Sequence, residues 1–230
     1  KNADEMIKVC KENNVILMID HQRRFDKFHQ DIRNFVKQGN LGKIQQTSFY
    51  YTAGIANTGS HMFDLLRFLF NEVDWVYAIY SENKSPNPQD PNIDGIIKFK
   101  SGILCTVQAC DVKSYNIFDL NILGTNGILR ITHSGFDCEF YKVEDSKLFS
   151  GYKEPYQSAL PIDKNAPRDF MVNAVKHLVD CLERKKIPIS TGEDGRAALE
   201  LICAFHESAR NNGKRIYLPL KESDIEIKSK

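Results

Sequence analysis

The sequence predicts an α/β chain of the α+β kind: a mostly antiparallel sheet with amphipathic helices, behind a short tail of a different, parallel-sheet unit. Three observations carry this. From residue 44 onward apolar residues recur with period two in the runs 44–51, 73–80, 93–99, 103–110, 116–123 and 128–131, which read as strands. Lys100-Ser101-Gly102 and Gly124-Thr125-Asn126-Gly127 are short turn-type connections, so the strands they join form antiparallel hairpins. Ahead of these, Val15-Ile16-Leu17-Met18-Ile19 is continuously apolar, the pattern of a strand buried on both faces of a parallel sheet. Such a strand needs parallel neighbours, and no later segment repeats its helix-then-apolar-strand pattern.

In chain order, Asn2 and Glu5 make a capping-box-like start to a helix whose face carries Met6, Val9 and Cys10. Asp20-His21-Gln22-Arg23-Arg24-Phe25 follows the apolar run, at the carboxyl end of the expected strand, where open α/β sheets bind ligands. A basic turn that merely caps the strand is the alternative. Asp26 then caps a helix bearing Phe28, Ile32, Phe35 and Val36, stopped by Gly39. Residues 85–91 read as an irregular surface loop, and residues 144–160 match no pattern. Asn165 leads into a helix with Phe170, Ala174, Leu178 and Leu182, closed by Arg184-Lys185-Lys186 at its negative pole. Thr191 and Asp194 cap the last helix, whose stripe is Ala198, Leu201, Ile202 and Phe205 and whose stop is Gly213. The implied organisation is a tail over 1–20, a main domain over 21–220 and a polar tail over 221–230. The tail reads as the end of an α/β domain whose front half is absent.

At 230 residues the chain can bury a real core, and its formal charge of +1 from 31 basic and 30 acidic residues argues against nucleic acid or a membrane surface as partner. Its six cysteines show no CxxC and are expected to be buried free thiols. With no 18-residue apolar run and no signal-peptide pattern, the expectation is a cytoplasmic protein. Histidines and cysteines lack metal-ligand spacing, so no metal is expected.

The stretch from Asn57 to Phe70 is the most informative. Cap-type residues Thr58 to Ser60 precede a run dense in Leu and Phe, and Asn57, His61, Asp64, Arg67 and Asn71 fall within an arc of about 120° on one helix face. A histidine in a first turn feels the positive end of the helix, which favours a neutral, proton-accepting ring. One reading is that Asn57 and His61 converge on a substrate hydroxyl. The other is a solvated face with Asp64 and Arg67 as an i,i+3 pair.

Several motifs together resemble the Gfo/Idh/MocA oxidoreductases: His21-Gln22-Arg23-Arg24-Phe25, Gly39-Asn40-Leu41-Gly42-Lys43-Ile44, the Asn57 to Arg67 stretch, Gly124-Thr125-Asn126-Gly127, and Thr191-Gly192-Glu193-Asp194-Gly195 followed by Glu207-Ser208-Ala209-Arg210. The resemblance covers the end of that family's Rossmann-type nucleotide-binding domain and nearly all of its carboxy-terminal domain. It implies a large, mostly antiparallel open sheet with helices on one face, and homo-oligomers formed through that sheet. It also implies hydride transfer from a sugar, cyclitol or nucleotide-sugar hydroxyl to NAD or NADP, with His61 handling the hydroxyl proton. Asn57 stands where aspartate is common, as in some nucleotide-sugar dehydrogenases, and joins His61 as a catalytic candidate. Arg24, Asp64, Tyr115 and Asn116 are substrate candidates, and His21, Gln22 and Arg23 are cofactor candidates. The family's glycine-rich phosphate loop and Glu-Lys-Pro motif are missing from this sequence, and Lys1 lies too close to the first helix to be the lysine of that motif. The 230 residues alone are therefore expected to bind NAD(P) poorly and not to turn over. Two other functions of the same fold stay open: a non-catalytic regulatory or binding protein, and an NAD-assisted glycosidase.

Overall fold

The computed structural model describes residues 2–164, 167–221 and 223–227. Among these residues nine strands form one open sheet: β1 (Ile44–Tyr51), β2 (Val73–Tyr80), β3 (Ile93–Phe99), β4 (Leu104–Ala109), β5 (Phe118–Gly124), β6 (Gly127–Thr132), β7 (Asp137–Asp145), β8 (Lys153–Ser158) and β9 (Ile216–Tyr217). Their order is β8-β7-β6-β5-β1-β4-β3-β2-β9, and every pairing is antiparallel except β1 with β4. The two short turns close the β3–β4 and β5–β6 hairpins. Alternation places Phe49 and Tyr51 of β1, Cys105 and Val107 of β4, and Leu120 and Ile122 of β5 in the core. Ser48, Thr106, Asn121 and Arg130 line up on the opposite face.

The helices are α1 (Asn2–Glu12), α2 (Lys27–Lys37), α3 (Asn57–Phe70), α4 (Phe170–Arg184) and α5 (Gly192–Arg210). Nearly every apolar side chain of α3 is buried, which makes it the central helix: Phe63 meets Phe205 of α5, and Phe70 meets Phe99 of β3. Gly95 of β3 permits this packing, because a Cβ there would stand 2.6 Å from the Tyr77 carbonyl and 2.8 Å from the Phe205 ring.

Several expectations are corrected. Residues 15–19 form no strand. Only Met18 bridges Thr191, because a ladder needs a partner and the described residues provide none. Met6 and Val9 of α1 are accordingly exposed, at 56% and 49%. The stripe expected on α4 is only partly covered: Ala174 is buried, Phe170 and Leu178 are half-buried, and Leu182 is 59% exposed. The unassigned stretch supplies the end of β7 and all of β8, and β8 is an edge strand with no buried residue, so alternation fades there. The cap suggested for Asn165 lies outside the described residues, and α4 is preceded by Asp169. At α5 the capping box forms as expected: Thr191 Oγ1 accepts from the Asp194 amide at 3.2 Å, and the Asp194 carboxylate accepts from the Thr191 amide at 3.0 Å.

Candidate functional site

The His61 end of α3 is fixed from a distance. The helix begins at Asn57, with Ala56 before it and no side-chain cap of its own. The orphan amides of Ala56 and Asn57 instead donate to the carboxylate of Asp90, at 2.7 and 2.9 Å. Asn92 accepts from the Gly54 amide at 2.9 Å. Gly54 has φ +95°, and a Cβ there would sit 2.2 Å from Asp90, so the close approach needs glycine. The loop read as irregular surface is thus the anchor of the site, with Asp90 buried. A carboxylate 34 residues downstream leaves no local signal in a sequence.

The polar arc of α3 is not a solvated face. Asp64 is 1% exposed and accepts from Nε of Arg24 at 3.0 Å to both carboxylate oxygens. Arg24 also donates to the Ile189 carbonyl at 2.9 Å and to Asp194 at 3.0 Å. Arg67 does not pair with Asp64. It meets Glu72 at 2.6 Å and approaches Asp194 at 3.5 Å. Arg24, Asp64, Arg67 and Asp194 therefore lock the 22–25 turn, α3 and the start of α5 together. Two of the four residues expected to touch substrate, Arg24 and Asp64, are committed inside the protein. Burial alone would raise the Asp64 carboxyl, but its close contacts with His21 and Arg24 and their charges outweigh it and hold it below the usual range.

His61 stands at the rim of this lock. The His21 ring is edge-on to it, centroids 6.3 Å apart, and His21 Nδ1 lies 3.0 Å from Asp64 Oδ1, out of line for a full hydrogen bond. Burial lowers the His61 pKa, Arg23 and His21 lower it further, and the carboxylates of Asp64 and Asp20 oppose without prevailing. The ring is thus held neutral at pH 7, the state needed to accept a proton. Asn57 does not reach it: its amide donates to the Ala53 carbonyl at 3.3 Å.

The remaining candidates fall into two places. Tyr115, 57% exposed, and Asn116 border an open cleft of about 510 Å³ with Asp119, His133 and Ser134. Asn116 bridges the end of β1 to the β6–β7 turn, accepting from Thr52 at 2.8 Å and donating to Ser134 at 3.2 Å. Arg23, which sequence placed with the cofactor, lies between Phe118 and Phe136 and donates to the Ser134 carbonyl. Gln22 is half-buried in the same turn. His21 also lines a groove of about 320 Å³ with Leu17, Ile19, Ala56 and Ser60. That wall suits a flat ring such as a nicotinamide. Among the described residues it holds no free cation for a pyrophosphate, since Arg196 there is taken by Asp4 and Glu200. Among the described residues no group of three or more His, Cys, Asp or Glu is placed to hold a metal, and no helix is long and apolar enough to cross a membrane. Asp26, expected to cap α2, precedes it but turns its carboxylate to His29 Nδ1 at 2.6 Å.

With this geometry in place, residues 53–218 match the model of the oxidoreductase family C-terminal alpha/beta domain. The chain belongs to the Gfo/Idh/MocA oxidoreductase family. It is 22% identical to D-apiose dehydrogenase of Paraburkholderia graminis over 97% of its own length, and spans 64% of that relative. Its fold is similar to that of the WlbA dehydrogenase of Bordetella pertussis in complex with NADH and UDP-GlcNAcA. The TM-score is 0.72 and the identity 21%, over 95% of this chain and 68% of that one. It is also similar to the aldose-aldose oxidoreductase of Caulobacter crescentus complexed with glycerol, with TM-score 0.70 and identity 21%, over 94% of this chain and 68% of that one.

Proposed function

We propose that the chain is the substrate-binding part of an NAD(P)-dependent dehydrogenase acting on a sugar, cyclitol or nucleotide-sugar hydroxyl, with His61 accepting the hydroxyl proton. The observation that carries this is the His61 environment, in which burial, Arg23 and His21 keep the imidazole neutral at the solvent-facing end of a rigid helix. Relatives bound to NADH, UDP-GlcNAcA or L-sorbose support the reaction class. NAD(P), when bound, supplies the hydride acceptor, and His21 with its groove-lining neighbours is the wall that would meet its ring. Asn57 keeps the role of orienting substrate once its weak bond to Ala53 is exchanged. Tyr115 and Asn116 meet substrate hydroxyls from the cleft. Residues 1–20 act as the end of a nucleotide-binding domain, whose phosphate loop must come from outside these residues. The open sheet face carrying Ser48, Thr106 and Asn121 is the surface for a homo-oligomer.

The test is reduction of NAD⁺ and NADP⁺ by the full-length protein over a panel of aldoses, cyclitols and nucleotide sugars. His61→Ala is expected to lower the rate by about 10²–10⁴-fold with little change in substrate affinity. Turnover that survives the substitution undiminished removes His61 from the chemistry.

A further inference from the structure

Two adjacent arginines leave the same short turn, and among the described residues one of them has no salt-bridge partner. Arg23 is 8% exposed, with its guanidinium carbon 3.8 Å above the Phe118 ring and 5.3 Å from that of Phe136. Its one hydrogen bond is long, 3.4 Å from Nη2 to the Ser134 carbonyl, and its buried Nε has no partner. The two nearest carboxylates are engaged elsewhere, Asp26 with His29 and Asp64 with Arg24 and His21. Ring faces satisfy a cation above and below its plane but leave the in-plane N–H donors unanswered. Burial pulls this guanidinium down to about 10, so it remains charged at pH 7. Asp26 and Asp64 offset this burial only in part, and a buried charge whose neighbouring carboxylates are already paired is costly unless a ligand completes it.

The surroundings give that ligand a place. Ser134, which Arg23 touches, rims the cleft with Asn116 and Asp119, and Arg23 is also close enough to His61 to depress its basicity. Gly135, at φ +85°, lets the backbone pass so close that a Cβ there would lie 3.3 Å from Arg23 Nε. Asp119 is the acid in the cleft; burial raises its carboxyl, and one oxygen is buried without a partner, which suits a hydroxyl neighbour and not a second anion.

The geometry points to Arg23 as the anchor for an oxyanion on the substrate, so that the sugar bound here carries a carboxylate or a phosphate. The oxyanion pairs with the guanidinium edge, and the hydroxyl to be oxidised faces His61. This rests on the proposed dehydrogenase reading and narrows its substrate class.

The test is equilibrium binding to the full-length protein, by calorimetry, of D-glucuronate against its neutral isostere D-glucuronamide, and of glucose 6-phosphate against glucose. At least one anion is expected to bind about tenfold or more tightly than its neutral partner. Which anion does so separates a carboxylate from a phosphate. Arg23→Gln is expected to erase the preference. Should that variant fail to fold, Arg23→Lys decides, since it keeps the charge but loses the planar fork: a preference reduced several-fold supports the anchor. Equal affinities in the parent protein, no binding of either anion, or a preference unchanged in the variants overturns it. Binding is read without turnover, so failure of the dehydrogenase reading leaves this result standing. Equal turnover of acidic and neutral sugars would sink the anchor alone.

Discussion

Arg23 and Arg24 are neighbours in sequence with opposite fates. Arg24 is saturated by Asp64, Asp194 and the Ile189 carbonyl, whereas Arg23 has aromatic rings and one long hydrogen bond. The first is part of the scaffold and the second is kept available. The contrast shows how the fold divides its charge: a locked ionic cluster holds α3 still, and the free cation beside it acts on His61 and on whatever enters the cleft.

That contrast can be broken by substitution. Arg24→Met should cost about 3–5 kcal/mol, because it leaves Asp64 buried and uncompensated; urea midpoints measure it. Asp90→Ala should cost about 1–2 kcal/mol, the loss of two amide acceptors at a helix start, and it should loosen the His61 end of α3, read by amide exchange. Arg23→Met should change stability by no more than about 1 kcal/mol, since lost cation–π contact is offset by removal of a poorly paired buried charge. The same variant should raise the His61 midpoint, because Arg23 holds it down. An Arg23→Met loss as large as that of Arg24→Met would erase the distinction.

The acid limb of stability sharpens it further. Burial lowers the pKa of His29, and the charges of Arg23 and Arg168 add to this, against the opposing contact with Asp26. The unfolded chain then takes up a proton near the ordinary 6.5 that the folded chain refuses. Stability from this group is complete above that pH and is lost as pH falls toward the folded midpoint. Urea midpoints at stepped pH should show this loss, and His29→Gln should flatten it.

Strands β1 to β6, α2, α3 and the capping box of α5 were legible because their signals are local: alternation, a buried stripe, a Thr-x-x-Asp cap. The edge strand β8 was not, since Lys153, Glu154, Gln157 and Ser158 place polar groups on both of its sides. Nor was the grip of Asp90 on Ala56 and Asn57, which joins segments with no shared pattern. The site was half legible. His61 could be found from helix periodicity and a family resemblance, but Arg23 and Arg24 look alike in sequence. Only the 3-10 turn at Gln22–Phe25 sends one toward Asp64 and the other between Phe118 and Phe136.

The most direct test is the titration of His61 by nitrogen NMR in this chain, assigned with His61→Gln. The account predicts a midpoint below the ordinary 6.5 and a neutral ring at pH 7, moving upward in Arg23→Met. A midpoint at or above 6.5, unmoved by that substitution, would contradict a proton acceptor prepared by burial and the neighbouring cation.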